Sequence, residues 1–71
     1  MTIHVFYAGL LYETLTGVDR FSSAKRLALP DGAYIRYRLP INGHCWYRSD
    51  FTPMADEDVP KEILVLALLL T

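Results

Sequence analysis

The sequence predicts an α+β fold: a small antiparallel sheet with a central β-hairpin, one short helix and a C-terminal apolar helix, all in a single domain spanning residues 1–71. Three observations carry that prediction. Tyr34 to Leu39 and Cys45 to Asp50 are β-rich stretches on either side of Asn42-Gly43, a dipeptide that marks tight hairpins. Ile3 to Tyr7 is β-branched and aromatic with only His4 polar, as a buried strand is. Ile63 to Leu70 is apolar without interruption and follows a proline and a cluster of acids, as a helix start does.

Taken in order, Ile3 to Tyr7 forms the first strand. Ala8 to Thr16 fits a helix through Leu11 and Leu15, with Gly17 as its cap. It fits a second strand better, turned at Ala8-Gly9, because Tyr12, Thr14 and Thr16 suit a sheet. Asp19 can cap a short helix from Arg20 to Ala28, whose apolar face is Phe21, Ala24, Leu27 and Ala28. Pro30-Asp31-Gly32 breaks the chain.

In the hairpin, a two-residue Asn42-Gly43 turn flanked by Ile41 and His44 sets Leu39 opposite Trp46, Arg38 opposite Tyr47 and Tyr37 opposite Arg48. Ile35, Tyr37, Leu39 and Trp46 then form the core face, and Tyr34, Arg36, Arg38 and Tyr47 the outer one. Phe51 to Asp58 reads as a loop. Ile63 to Leu70 reads as a helix that is apolar all round, and such a helix is either buried on every side or shared with a partner. A buried strand is the alternative for so short a run.

A chain of 71 residues lies near the lower limit of size for an independent core. Cys45 is the only cysteine, so no disulfide staples it, and a lone thiol without a visible secretion signal suits a reducing cytoplasm. With 52% apolar residues it is not a disordered chain. Seven basic and eight acidic residues give a net charge of −1, where a non-specific nucleic-acid binder carries a basic excess. The longest apolar run is far below the roughly 20 residues a helix needs to cross a bilayer.

Chemistry-bearing constellations are sparse. His44 and Cys45 are adjacent, so on a strand they face opposite ways and do not share an ion. With His4 the only other soft ligand, zinc spacing is absent. Nothing local activates Cys45 as a nucleophile. The Asp56-Glu57-Asp58 cluster lacks EF-hand spacing and suits a charged helix start, or a second contact patch. No catalytic residue, metal or cofactor is therefore expected. The outer hairpin face, with Tyr34, Arg36, Arg38 and Tyr47, interleaves guanidinium groups with aromatic rings, as protein hot spots and nucleic-acid platforms both do. Replacing Arg36 and Arg38 with alanine is expected to leave the fold intact and to abolish binding.

The segment Ser23-Ala24-Lys25-Arg26-Leu27-Ala28 followed by a hairpin bearing Trp46 resembles small phage-encoded inhibitor proteins, some anti-CRISPR proteins among them, which pack a short helix on a small antiparallel sheet. The resemblance covers less than half of the chain and transfers no functional residue. It implies a non-enzymatic cytoplasmic protein that occludes a host protein or ribonucleoprotein complex handling nucleic acid. The alternative is a helix-turn-helix or winged-helix DNA-binding regulator, with residues 21–39 as helix, turn and helix, Arg36 and Arg38 on the second helix, and Ile41 to Asp50 as the wing. Self-association through Ile63 to Leu70 is a further expectation.

Overall fold

In the computed structural model, which describes residues 1–16, 27–41 and 43–70, five strands form one antiparallel sheet. They are β1 (Thr2–Tyr7), β2 (Leu10–Leu15), β3 (Tyr34–Leu39), β4 (Gly43–Arg48) and β5 (Pro53–Met54), in the order β2-β1-β3-β4-β5. A 3-10 turn (Asp56–Asp58) leads to the single described helix, α1 (Lys61–Leu68). The helix predicted for residues 20–28 falls almost wholly outside the described residues, and Leu27 to Pro30 carry no regular structure.

The apolar run of β1 is explained by its place inside the sheet. It is paired on both sides, and Ile3, His4, Val5 and Phe6 are all buried, so both of its faces are covered. The β1–β2 hairpin closes through Ala8 and Gly9, both at positive φ (52° and 75°), as a two-residue type I′ turn requires. A register shift after Val5 then lets β2 run on as a bulged edge strand. Leu10–Leu15 is thus strand rather than helix.

The β3–β4 hairpin differs from the expected register. Leu39 pairs with Gly43, Arg38 with His44, Tyr37 with Cys45, Arg36 with Trp46 and Ile35 with Tyr47. Gly43 is therefore in the strand, and the last pair of the ladder, Leu39 with Gly43, has three residues between its members along the chain. Pro40, which has no N–H to give to a ladder, sits in a turn just beyond that pair. The offset from the Asn42-Gly43 turn register is three residues. An odd offset sends every β4 side chain to the other face. Trp46 joins Arg36, and Tyr47 joins Ile35.

Two buried clusters result. Ile3, Val5, Ala33, Ile35 and Tyr37 form one, with Leu15, Leu29, Cys45, Tyr47 and Phe51 packed against it. Phe6, Trp46, Val59, Ile63 and Ala67 form the other, with Tyr34, Met54, Leu64, Leu66 and Leu70 around it. The second is the face on which α1 lies. Trp46 is buried as expected, but against Phe6, with ring centroids 5.8 Å apart, and not against Leu39, which is exposed. The segment read as a loop, Phe51 to Asp58, holds β5 and the 3-10 turn. It is entered by a turn in which the Phe51 N–H donates to Arg48 O (2.7 Å) and Thr52 N–H to Asp50 Oδ1 (3.0 Å).

Candidate functional site

The helix-side face of the sheet carries a row of side chains across all five strands: Thr14, His4, Arg36, Trp46 and Met54. The next row places Thr2, Arg38 and His44 side by side. Alternation along β1, β3 and β4 thus sets two guanidinium groups and two histidines on the face that α1 covers. Arg36 is only 6% exposed. Its Nη1 donates to Ala67 O at 2.9 Å, and Arg38 Nη1 donates to Leu70 O at 3.4 Å.

These contacts have a simple cause. The last carbonyls of a helix have no partner within it and form the negative end of its dipole. Helix α1 has no basic residue in its last turn, so β3 supplies the cations instead. The arginines read as an outer binding face are structural anchors. Arg36 and Arg38 do share a face with Tyr34, but that face is the covered one, and Tyr47 lies on the opposite side against the Ile3–Ile35 cluster. The same contacts argue against the expectation that replacing both arginines leaves the fold intact.

Beside this anchor is a cleft of about 220 Å³, lined by Arg36, His44, Trp46, Asp56, Leu64, Ala67 and Leu68. At its rim His44 Nε2 and Asp56 Oδ2 are 3.0 Å apart. Among the described residues no carboxylate lies within ion-pair distance of Arg36. Burial, with Arg38 beside it, lowers the Arg36 pKa, and Asp56 opposes that shift. His4 is pushed below the ordinary histidine value by burial and then by Arg36 and Arg38. Three buried polar atoms, His4 Nδ1, Arg36 Nε and Trp46 Nε1, find no hydrogen-bond partner among the described residues.

The acidic cluster stands apart from the start of α1. Asp56, Glu57 and Asp58 are exposed on the 3-10 turn, separated from α1 by Val59 and Pro60, and only Glu62 lies in the helix's first turn. Asp56 is brought to His44 and to the cleft, while Asp58 borders a second depression, of about 360 Å³, with Tyr34 and Arg48. Cys45 is free and half-buried, and burial together with Cys45 raises the Tyr47 pKa. Among the described residues no group of three metal-ligating side chains forms.

Sequence reasoning singled out Ile63 to Leu70 as a run that a partner could cover, but not the exposed apolar residues of β2. On β2, Leu10, Leu11 and Tyr12 are 68%, 42% and 53% exposed. On α1 and just beyond it, Val65, Leu68 and Leu69 are 56%, 68% and 76% exposed. Helix α1 packs next to β2; Leu11, opposite Phe6, is on the helix-side face, while Leu10, opposite Tyr7, and Tyr12, whose ring lies 6.1 Å from that of Tyr7, belong to the other face. The signal in the sequence was the unbroken Ile63–Leu70 run, of which one helix face cannot hide every residue. No described helix is long and apolar enough to cross a membrane. Comparison with protein-family models, with curated proteins and with solved structures finds no match.

Proposed function

We propose that this chain is a non-enzymatic protein-binding module that acts by occlusion, and that its contact surface is the outer face of α1 with the adjoining strand β2. The observation that supports this reading is the exposure of Val65, Leu68 and Leu69 on α1, which packs next to β2 with Leu11 exposed on the same face of the sheet. Apolar groups gathered on one side of so small a molecule cost free energy in water until something covers them. A partner with a matching apolar surface supplies that cover. Inhibition of a host nucleic-acid-handling complex is the narrower form of the proposal and rests on the family resemblance. The DNA-regulator reading has less support. Tyr34–Leu39 is a sheet strand, so it offers no recognition helix, and Arg36 and Arg38 are already engaged by helix carbonyls.

The test is a comparison of wild type with Val65→Lys plus Leu69→Lys. Both positions are exposed, so the fold should lose no more than about 0.5 kcal/mol. The expected result is a partner captured from host lysate by wild type, retained after nuclease treatment, and lost by the double variant. Capture that disappears with nuclease, or that survives the double substitution, overturns the reading. Light scattering on the pure protein shows whether the covered state is a second copy of the chain.

A further inference from the structure

We infer that β2 pairs edge to edge with the β2 of a second copy of this chain, joining two five-stranded sheets across a two-fold axis. The inference rests on the reading above in one respect, that β2 belongs to the contact surface, and it names the occupant of that part. Strand β2 is an edge strand of six residues, and no described strand pairs with its outer side. Alternate backbone N–H and C=O groups of such a strand point away from the sheet, and another strand is the partner that satisfies them in order. Edge strands are ordinarily kept from pairing by short length, proline, lysine or a bulge. The opposite edge is protected in this way, because β5 has two residues and begins with Pro53. Strand β2 has no proline and no lysine, and Glu13 is its one charge. Its bulge is the remaining defence, and beyond it Glu13 to Leu15 stay in regular register with β1.

The side chains agree with the backbone. A strand with one solvated face alternates apolar and polar residues. Strand β2 carries apolar residues on both faces, Leu11 on the helix side and Leu10 and Tyr12 on the other. All three are exposed, so β2 has the make-up of an interior strand with one neighbour missing. Two features favour a second copy as that neighbour. Antiparallel pairing of identical edges is self-complementary, and the short, proline-headed β5 does not prolong the sheet, so the assembly closes at two copies instead of running on as a fibre. The charge also permits it. With the two-fold axis at Thr14, Glu13 of each copy lies opposite Leu15 of the other, and the like charges do not face each other. Such an axis stands perpendicular to the sheet, so both copies present α1 on the same side.

The experiment uses the full chain, pure and without a host protein. Sedimentation equilibrium between about 10 and 500 µM should show the mass rising from one copy to two and no further. In a sample mixed from ¹⁵N-labelled and ¹³C-labelled copies, nuclear Overhauser effects between copies should join β2 residues, Glu13 with Leu15 among them. Leu10→Lys with Tyr12→Lys sets cations on the exposed edge and should hold the chain at one copy. Val65→Lys with Leu69→Lys, on α1, should remain dimeric. The signals between wild-type copies decide the matter if the β2 variant fails to fold. The inference is overturned if the mass stays at one copy or passes beyond two, if the signals between copies avoid β2, if the folded β2 variant still dimerises, or if the α1 variant does not. Capture of a host protein is scored separately. A dimer that captures nothing sinks the reading above and leaves this one standing, and a monomer that captures a partner does the reverse.

Discussion

The two faces of the sheet are buried to a similar degree by different chemistry. One is filled by Ile3, Val5, Ile35 and Tyr37, side chains that need only to leave water. The other sets His4, Arg36, Arg38 and Trp46 beneath a helix and depends on that helix's carbonyls to satisfy the charge. The first face should therefore fail all at once when a side chain is cut back. The second should fail by releasing α1, because its buried cations and the helix end rely on each other.

The largest effect should come from the apolar face. Ile35 is fully buried between neighbours on β1 and β4, and Ile35→Ala should cost about 2–5 kcal/mol, read as a lower urea midpoint for the whole molecule. Arg36→Ala should follow at about 2–3 kcal/mol, the range of a charged hydrogen bond with its acceptor left unpaired. Its signature is different: hydrogen exchange at residues 63–70 should rise well above that of β1 and β3. Arg36→Met, which removes the charge and keeps the bulk, should recover part of the loss. Equal exchange in helix and sheet would show that the two faces form one cooperative unit.

Mild acid should act on the polar face through His4. The folded-state pKa of His4 lies below its ordinary value, so the unfolded chain takes up the proton first. The contribution of neutral His4 is then complete above about pH 6.5 and is lost as pH falls from there toward the folded-state value. Melting temperatures at pH 7.5 and 5 should differ, and His4→Gln should reduce the difference. Smaller effects belong to the turns. Ala8 sits at φ 52°, where alanine is strained, and Ala8→Asn should gain roughly 0.5–1 kcal/mol. Gly43→Ala should cost less than about 1 kcal/mol. Its φ is not in the left-handed region, and the added Cβ meets mainly Leu39 Cδ1 at 3.1 Å, the mobile end of an exposed side chain.

The elements were largely legible in the sequence, and the face assignment was not. Local signals placed β1, β3, β4 and the C-terminal helix, and Ala8-Gly9 was open to reading as a turn. Asn42-Gly43 was a misleading signal, because it matches the tight-turn pattern while Pro40 already takes the chain out of the ladder. With both faces of the sheet buried, hydrophobic alternation could not correct the slip. The large ring of Trp46 favoured the apolar side, when its place is beside Arg36. The better clue was β1: an apolar run with no polar face implies cover on both sides, which makes an exposed Arg–Tyr face on its neighbour β3 hard to sustain.

The arginine anchor also bears on the order of folding. A helix of eight residues is too short to persist alone in water, where nucleation is costly and isolated helices need about 12–15 residues. Its stabilising partner, Arg36, is 31 positions away along the chain from Ala67. Arg36 is presented only when β3 is paired, so closing that loop rewards nothing until the hairpin exists. The hairpin should therefore be formed in the transition state and the helix should dock afterwards, with φ-values high across β3 and β4 and low at Ile63 and Ala67. Substitutions that loosen the helix end would then speed unfolding and leave the folding rate nearly unchanged.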